Sequence, residues 1–308
     1  MRITTANAFD SQLSNLQRRQ QALTQSQEQL TSGKRVLRAS DDPAAAAVAE
    51  RALATEKRSV AQQRALDASR NAMQLSETAI GDAGELLQQA RELIVAAGNG
   101  SYSDAERKTV ATAIRGLRDD LLAVANRGDG AGRYLFGGQG TDGLPLRDNP
   151  GGVTYNATPG QLMAASGEAS PLSIDGRAAF LQAPDPANPG ALLSVFDVLD
   201  RVAGELATPG RTGAQISLGV GQGIGDVDAV FDNLSATRAR AGEALKRIDG
   251  IELRLSQTKL DAQRERSDAE DLDMLQAISD FQSRQTGYDA ALKTYALVQK
   301  MSLFDYLR

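Results

Sequence analysis

Both ends of the chain carry stripe positions spaced three and four residues apart. The stripe near the N-terminus comprises Ala6, Phe9, Leu13, Leu16, Gln20, Leu23, Gln27 and Leu30. The stripe near the C-terminus comprises Met274, Ile278, Phe281, Gln285, Tyr288, Leu292, Tyr295 and Gln299, followed by Leu303 and Phe304. This spacing keeps one face of a helix turned toward a partner. The pattern therefore predicts a helix at each end of the chain, and the two are expected to pair with each other.

Neither terminal stripe is strongly apolar. Gln fills four of the sixteen regular stripe positions and Ala fills another. Each turn therefore offers little apolar area, and an isolated pair of such helices would be marginally stable. A regular but weakly apolar stripe fits two arrangements, which are a monomeric bundle whose ends pack together and an assembly of many copies.

A stop signal and a restart signal follow the first predicted helix. Gly33 can adopt the positive φ that ends a helix. Asp41 or Asp42 can cap the next helix, and Pro43 suits its first position because proline has a pre-set φ and no amide hydrogen to lose. Apolar residues then recur every seven positions at Leu66, Met73, Ile80, Leu87 and Ile94. We predict one helix from residue 43 to residue 97, about 80 Å long.

Two further stretches complete a predicted antiparallel rod. Ser103 and Glu106 have the spacing of a capping box, and they precede a return helix. Its apolar positions are Val110, Ile114, Leu117, Leu121 and Val124. Residues 192–206 look helical, and residues 208–225 look like a Gly-rich connector. A long heptad stripe then begins at Val227 and predicts the last helix of the rod.

The composition changes between the two parts of the rod. Many Gly residues occur there, and period-two pieces such as Val153-Thr154-Tyr155 and Leu172-Ser173-Ile174 favour strands. The predicted segments are residues 1–44 (terminal helix), 45–136 (rod, first part), 137–190 (β-rich insert), 191–270 (rod, second part) and 271–308 (terminal helix). The predicted fold is mainly α: a long antiparallel helical rod with coiled-coil packing, paired terminal helices and a small β-rich insert at the tip.

Composition excludes several classes of function. The chain has no Cys and no His, so the commonest general base, the thiol nucleophile and the usual zinc ligands are absent. The net charge of -5 disfavours nonspecific binding to nucleic acid. No stretch is apolar for long enough to span a bilayer, and no Sec-type signal is evident near the N-terminus. If the protein leaves the cell, we expect a route that leaves its N-terminus uncleaved.

Candidate chemical motifs are weak. The glycines at 219, 221, 223 and 225 miss the spacing of a dinucleotide-binding loop. Ser256 and Lys259 have the Ser-x-x-Lys spacing of some hydrolases but no companion motif. Asp226 and Asp228 lack the third ligand of a calcium loop and suit the first turn of a helix. The charged residues of the insert are few and scattered: Asp148, Glu168, Asp175 and Arg177. We therefore predict no enzyme activity, no cofactor and no metal.

Four passages of the sequence resemble the bacterial flagellar axial proteins, the family of flagellin and the hook-associated proteins. These passages are residues 30–36 together with 39–44, residues 91–100, residues 134–138, and the last forty or so residues. Gly33, Asp41, Asp42 and Pro43 lie in the junction motif between the terminal helix and the first rod helix. Within the family, Lys34, Pro43 and the ending from Leu303 to Arg308 differ from flagellin and favour the hook-associated proteins at the hook–filament junction.

The resemblance implies a structural role and a set of partners. Such a protein is exported unfolded by the flagellar type III apparatus with an export chaperone, and it assembles as a ring between hook-associated protein 1 and the flagellin filament. The residues expected at the assembly interface are Phe9, Leu13, Leu16, Leu23, Leu30, Ile278, Phe281, Tyr288, Leu292, Tyr295, Leu303 and Phe304. The location implied is outside the cell, at the hook–filament junction of the flagellum.

Three other functions stay open. A minor flagellin that polymerises into the filament belongs to the same class but has a different partner. A cytoplasmic coiled-coil dimer without a flagellar role would have well-ordered ends in solution. An enzyme with a site in the insert is the least supported, because the charged residues there do not cluster.

Overall fold

A computed structural model describes the backbone of residues 2–165 and 167–306, and the side chains of residues 10–165 and 167–297. Within these residues the chain forms seven helices and four short strands. In chain order they are α1 (Arg2–Ser32), α2 (Pro43–Ala97), α3 (Asp104–Ala125), β1 (Leu146–Asn149), β2 (Gly152–Tyr155), α4 (Gly176–Phe180), β3 (Ala183–Pro184), β4 (Leu192–Leu193), α5 (Val195–Ala207), α6 (Gly213–Glu270) and α7 (Met274–Tyr306). The mainly helical fold with a small β insert is confirmed.

The contacts of the chain divide it into two compact units. The first unit comprises Met1–Ser59 and Gln257–Arg308, and the second comprises Val60–Ser256. The boundary between them falls inside α2 and α6, the two longest helices. The first unit contains both terminal helices and the junctions that connect them to α2 and α6.

The helix α2 begins and ends where the local signals predict. Asp42 precedes it and accepts a hydrogen bond from the amide of Ala45 at 3.0 Å, and Pro43 is its first residue. The heptad residues of α2 are at most 2% exposed: Leu66, Met73, Ile80, Leu87 and Ile94. They belong to the hydrophobic core of the second unit, so the seven-residue pattern marks a buried seam.

The helix α3 begins with the predicted capping box. The amide of Glu106 donates to the hydroxyl of Ser103, and the carboxylate of Glu106 accepts from the amide of Ser103. The face of α3 that carries Ile114 and Leu121 is fully buried, and α3 packs against α5. The capping box thus starts α3 in the frame that turns its apolar stripe into the core.

The insert contains less strand than the period-two pattern predicts. β1 and β2 form an antiparallel hairpin in which Leu146 faces Tyr155, and β3 pairs with β4. The segment from Leu172 to Ile174 is not a strand, which corrects that prediction. Its backbone instead joins separate loops. The amide of Leu172 donates to the carbonyl of Leu162, and the amide of Ile174 donates to the carbonyl of Leu135.

The helix predicted to start at Leu192 starts later. Leu192 and Leu193 form β4, and Ser194 then caps α5 by accepting from the amide of Asp197 at 3.3 Å. The N-cap signal at Ser194 therefore outweighs the helical spacing of the two preceding leucines.

The Gly-rich connector predicted for residues 208–225 is also wrong over most of its length, because α6 already begins at Gly213. Thr212 and Gln215 form a reciprocal cap there, with bonds of 2.9 and 3.3 Å. A side chain at position 223 would meet Val202 Cγ2 of α5 at 2.7 Å. Glycine is thus used inside the helix for close packing against α5, which overrides its low helix propensity.

Candidate assembly interface

The two terminal helices pack against each other within the first unit. α1 and α7 are in contact, which confirms the predicted pairing of the ends. The guanidinium of Arg284 on α7 donates to the carbonyl of Ala22 at 3.2 Å and to the hydroxyl of Ser26 at 2.7 Å, both on α1. Ser26 is 6% exposed and is the one side chain of α1 that is buried among those described.

Most stripe residues remain partly exposed in this pair. Among the described side chains, those of intermediate exposure are Leu16, Leu23, Leu30, Phe281, Tyr288 and Tyr295. Four other apolar stripe residues are clearly exposed: Leu13 at 43%, Met274 at 47%, Ile278 at 47% and Leu292 at 38%. Pairing α1 with α7 therefore leaves much of the apolar surface of the two stripes in contact with solvent.

Three further residues are expected at the interface. Phe9 lies in α1, and Leu303 and Phe304 lie in α7, but their side chains are outside the described residues. Their role in an interface stays a prediction.

Apolar residues beside the predicted stripe add to the exposed surface of α7. Leu275 is 87% exposed and Leu297 is 61% exposed. Leu275 and Leu297 fall outside the regular spacing, so the sequence pattern did not select them. Scattered apolar residues are ordinary on protein surfaces, and these two add to an apolar surface that the stripes of the same helix pair already expose.

The junction between α1 and α2 begins with a left-handed glycine. Gly33 has φ of +72°, and its amide donates to the carbonyl of Gln29 at 2.9 Å. The helix stop predicted at Gly33 is confirmed, because a residue with a Cβ would be strained at this φ.

The two acidic residues of the junction hold different parts of the backbone. Asp41 accepts from the amides of Leu37 and Arg38 at 3.1 and 2.9 Å, which closes the loop between α1 and α2. Asp42 accepts from the amide of Ala45 at the start of α2. This amide bond and the Arg35 guanidinium lower the pKa of Asp42 below its ordinary value.

The junctions at the two ends of the chain are bonded to each other. The amide of Leu272, between α6 and α7, donates to the carbonyl of Gly33 at 3.0 Å. In the opposite direction the amide of Arg35 donates to the carbonyl of Glu270 at 2.7 Å. The side chain of Arg35 also reaches the carbonyl of Ala269 at 2.7 Å and the carboxylate of Asp42 at 3.2 Å.

Local sequence signals mark the acids and the glycine of this junction but not Arg35 or Glu270. Their contact joins positions more than 230 residues apart in the chain, so no local pattern reports it. The one local signal is a basic residue two positions after the helix stop at Gly33, but the carbonyl that it reaches belongs to α6 and not to the helix that stops there.

The residues weighed for chemistry do not converge on one site. Asp226 pairs with Arg201, and Asp228 pairs with Arg91. In the insert, Asp148 pairs with Arg118 and Glu168 pairs with Arg254. Asp175 instead caps α4. Each of these acids has a structural partner.

The acidic side chains and the helices of the described residues bear on two other classes of function, metal binding and membrane insertion. In the part of the chain that the structure describes, no three acidic side chains lie close enough together to hold a metal ion. None of the helices there contains an apolar stretch that would cross a bilayer.

Comparison with known proteins gives matches in sequence and in structure. The family of the bacterial flagellin N-terminal helical region matches residues 3–141. Flagellar hook-associated protein 3 of Salmonella typhimurium is 28% identical over 72% of this chain and 73% of its own length. Flagellar hook-associated protein 3 of Escherichia coli is 29% identical over 71% of this chain and 72% of its own length.

A solved structure has the same fold. It is a protein of Vibrio parahaemolyticus described as flagellar hook-associated, with a TM-score of 0.66 and 19% identity over 75% of this chain and 100% of that chain. The matched region 3–141 includes the junction between α1 and α2, and the structural match agrees with a helical fold that carries a small β insert. The chain is similar in sequence to flagellar hook-associated protein 3 and to the N-terminal helical region of flagellin, and it has the fold of a flagellar hook-associated protein.

Proposed function

We propose that this protein is a structural subunit of the bacterial flagellum that joins the hook to the flagellin filament and assembles through its terminal helices. One observation carries the proposal. When α1 and α7 are paired with each other, Leu13, Ile278 and Leu292 on their stripes are still 38–47% exposed. A helix pair that leaves its own stripes half exposed has apolar area to bury against further copies.

The energetics favour many neighbours over one. Burial stabilises by roughly 25 cal/mol per Å² of apolar surface, so a few half-exposed leucines contribute only a few kcal/mol to any single contact. In a closed ring each copy contacts two neighbours, and the free energy gained by burial is repeated at every interface of the ring. Assembly therefore offers the terminal helices a burial that the pair alone does not have.

The partners are proposed from the names of the relatives and from the family resemblance. They are hook-associated protein 1 on the hook side, flagellin on the filament side, and an export chaperone with the type III export apparatus before assembly. The chaperone would cover the stripe of α7 that carries Tyr288, Leu292 and Tyr295. After export, the protein would lie at the hook–filament junction.

A carboxylate on the stripe tests the proposal. Leu13→Asp should leave the melting point of the monomer almost unchanged, because Leu13 is already 43% exposed. It should prevent incorporation into flagella, since a buried, unpaired carboxylate costs several kcal/mol in the assembled state. The measurement is complementation of motility and filament attachment in a strain that lacks its own copy of the gene.

A matched control lies on the opposite face of the same helix. Asn15 is two residues from Leu13, which is about 200° around the helix, and it is exposed. Asn15→Asp introduces the same charge and should support normal motility. Normal motility with Leu13→Asp would show that the stripe is not an assembly surface. A clearly lower melting point of the Leu13→Asp monomer would show that Leu13 belongs to the ordinary core of the monomer.

Removal of α7 gives a second test. Deletion of residues 274–308 should leave the second unit folded, because its hydrophobic core contains no residue of α7. The truncated protein should fail to join filaments to hooks. A truncated protein that still attaches filaments would contradict assembly through the terminal helices.

A minor flagellin is the alternative, and the distribution of the protein along the flagellum distinguishes the two. Immunogold labelling should give one band at the boundary between hook and filament. Labelling along the filament would instead support the alternative.

A further inference from the structure

We propose that Arg35 couples the two terminal helices, so that the ordering of α1 and the ordering of α7 are linked through a junction clasp. The junction clasp consists of Arg35 together with Asp42, Ala269 and Glu270. The coupling is a property of the monomer. Its use in assembly, where both helices would have to become ordered in the same step, rests on the proposed function.

Arg35 contacts the ends of three helices. Its carbonyl accepts from the side chain of Gln29 on α1 at 2.8 Å. One guanidinium nitrogen donates to Asp42, the capping residue of α2, and another donates to the carbonyl of Ala269 in the last turn of α6. The backbone amide of Arg35 donates to the carbonyl of Glu270.

A fourth helix, α7, begins close to the contact between Arg35 and α6. Only three residues separate Glu270, the last residue of α6, from Met274, the first residue of α7. Among them, Leu272 donates its amide to the carbonyl of Gly33, which is two residues before Arg35. The contact of Arg35 with α6 and the bond that precedes α7 thus lie side by side in one short segment, so loss of the first is expected to weaken the second.

The side chain suits this role for a chemical reason. The last carbonyls of a helix have no partner inside the helix, and a cation near them is favoured by the helix dipole. A guanidinium carries five donors in a fixed plane, so it can serve a carbonyl on one side and a carboxylate on the other. A lysine has a single nitrogen and cannot reproduce both contacts at the same separation.

The linkage is reciprocal by thermodynamic necessity. If ordering of α1 favours ordering of α7 by some factor, then ordering of α7 favours α1 by the same factor. A partner that binds one terminal helix would therefore also order the other one. With the clasp broken, the two helices would respond to such a partner separately.

Hydrogen exchange of the full-length monomer tests the coupling, with peptides from residues 10–32 and 274–297 as reporters. Arg35→Ala should accelerate exchange in both reporters together, by about three- to tenfold, the factor produced by loss of one or two hydrogen bonds. Peptides from residues 66–94, in the core of the second unit, should exchange at the wild-type rate.

The control is the neighbouring cation. The side chain of Lys34 is 45% exposed and that of Arg35 is 47% exposed, so the two substitutions remove equal charge at equal exposure. The side chain of Lys34 donates to the carboxylate of Glu270, which keeps a second partner in Arg266 at 3.3 Å. Lys34→Ala should change exchange in either reporter by less than about twofold.

Several results would overturn the coupling. Faster exchange in residues 10–32 alone would show that α7 is independent of Arg35. An equal effect of Lys34→Ala, or full wild-type behaviour of Arg35→Lys, would show that only charge matters. Faster exchange in residues 66–94 would mean general destabilisation. The exchange measurement uses the monomer, so a negative result would contradict the coupling but not the assembly proposal. Evidence against assembly would in turn leave the coupling in the monomer untouched.

Discussion

The guanidinium of Arg284 lies 2.7 Å from the hydroxyl of Ser26, and this contact joins α7 to α1 at a buried position. The hydroxyl of Ser26 in turn donates to the carbonyl of Ala22 within α1 at 3.0 Å. The same carbonyl accepts a second bond from Arg284. A polar cluster therefore fixes one position along two helices whose apolar stripes are too regular and too weak to select a register by themselves.

Arg284→Ala should loosen the terminal helix pair. It removes two bonds to α1, and we expect a loss of about 0.5–1.5 kcal/mol in the stability of the pair. The measurement is the rate of limited proteolysis within residues 10–32 and 274–297, because cleavage follows the population of the opened state. Lys293→Ala removes the same charge from an exposed position on α7 and should leave the rate unchanged. Equal rates for the two variants would contradict the role of Arg284.

Two glycines in α6 should respond to alanine in opposite ways. At Gly225 an added Cβ meets no atom within 4 Å, so Gly225→Ala should stabilise the protein by up to about 1 kcal/mol through helix propensity. At Gly223 the added Cβ would meet Val202 at 2.7 Å, and the strain should cancel or exceed that gain. Urea unfolding of both variants checks this pair. Equal stabilisation by both would show that α5 and α6 do not need a glycine for close packing.

The helix ends with local signals could be predicted from the sequence. Asp42 and Pro43 start α2, and Ser103 starts α3, because a capping residue acts on amides within three positions of itself. The heptad seam of α2 is visible for the same kind of reason, since the repeat reflects one continuous buried face. These features depend on residues that are neighbours in the chain.

Features that depend on distant residues could not be predicted. The glycines at the start of α6 look like a flexible connector until Val202 of α5 is placed beside Gly223. Arg35 looks like an ordinary surface cation until the carbonyl of Ala269 is placed beside it. In both cases a tertiary contact overrides or supplies the local preference. The exposed stripe residues were predicted as a pattern, but the pattern could not tell how much of each side chain the α1–α7 pair would bury.

Arg118 should be important for the stability of the second unit. Its side chain is 7% exposed, and it donates to Asp148 of the β1–β2 hairpin at 2.8 Å and to Asp200 of α5 at 3.1 Å. It also lies 5.7 Å from the centre of the Phe196 ring. One guanidinium therefore joins α3, the hairpin and α5.

Arg118→Met should lower the free energy of unfolding by about 1–3 kcal/mol. This loss is smaller than the roughly 3–5 kcal/mol for a fully buried pair, because the two carboxylates are almost half exposed and can be hydrated again. Arg115→Met, at an exposed position on the same helix, should have little effect. The measurement is urea unfolding of the full chain. Similar losses for both variants would mean that the buried guanidinium does not hold the hairpin.

Tyr155 should make the protein sensitive to alkaline pH. Its hydroxyl donates to the carbonyl of Phe136 at 3.0 Å, and burial raises its pKa from the ordinary 10.0 to about 12, with the charge of Asp175 acting in the same direction. Below pH 10 this contribution to stability is fully present. Between about pH 10 and pH 12 the unfolded chain loses the phenolic proton while the folded protein keeps it, so rising pH favours unfolding.

Tyr155→Phe should remove this part of the pH dependence. The variant should be less stable than the wild type below pH 10, because the carbonyl of Phe136 loses its donor. The difference between the two proteins should then shrink as pH rises through the window from about 10 to 12. Urea unfolding at a series of pH values measures this difference directly. A difference that stays constant from pH 8 to pH 12 would show that Tyr155 ionises equally easily in the folded and unfolded chains, and that its burial does not control the alkaline limb.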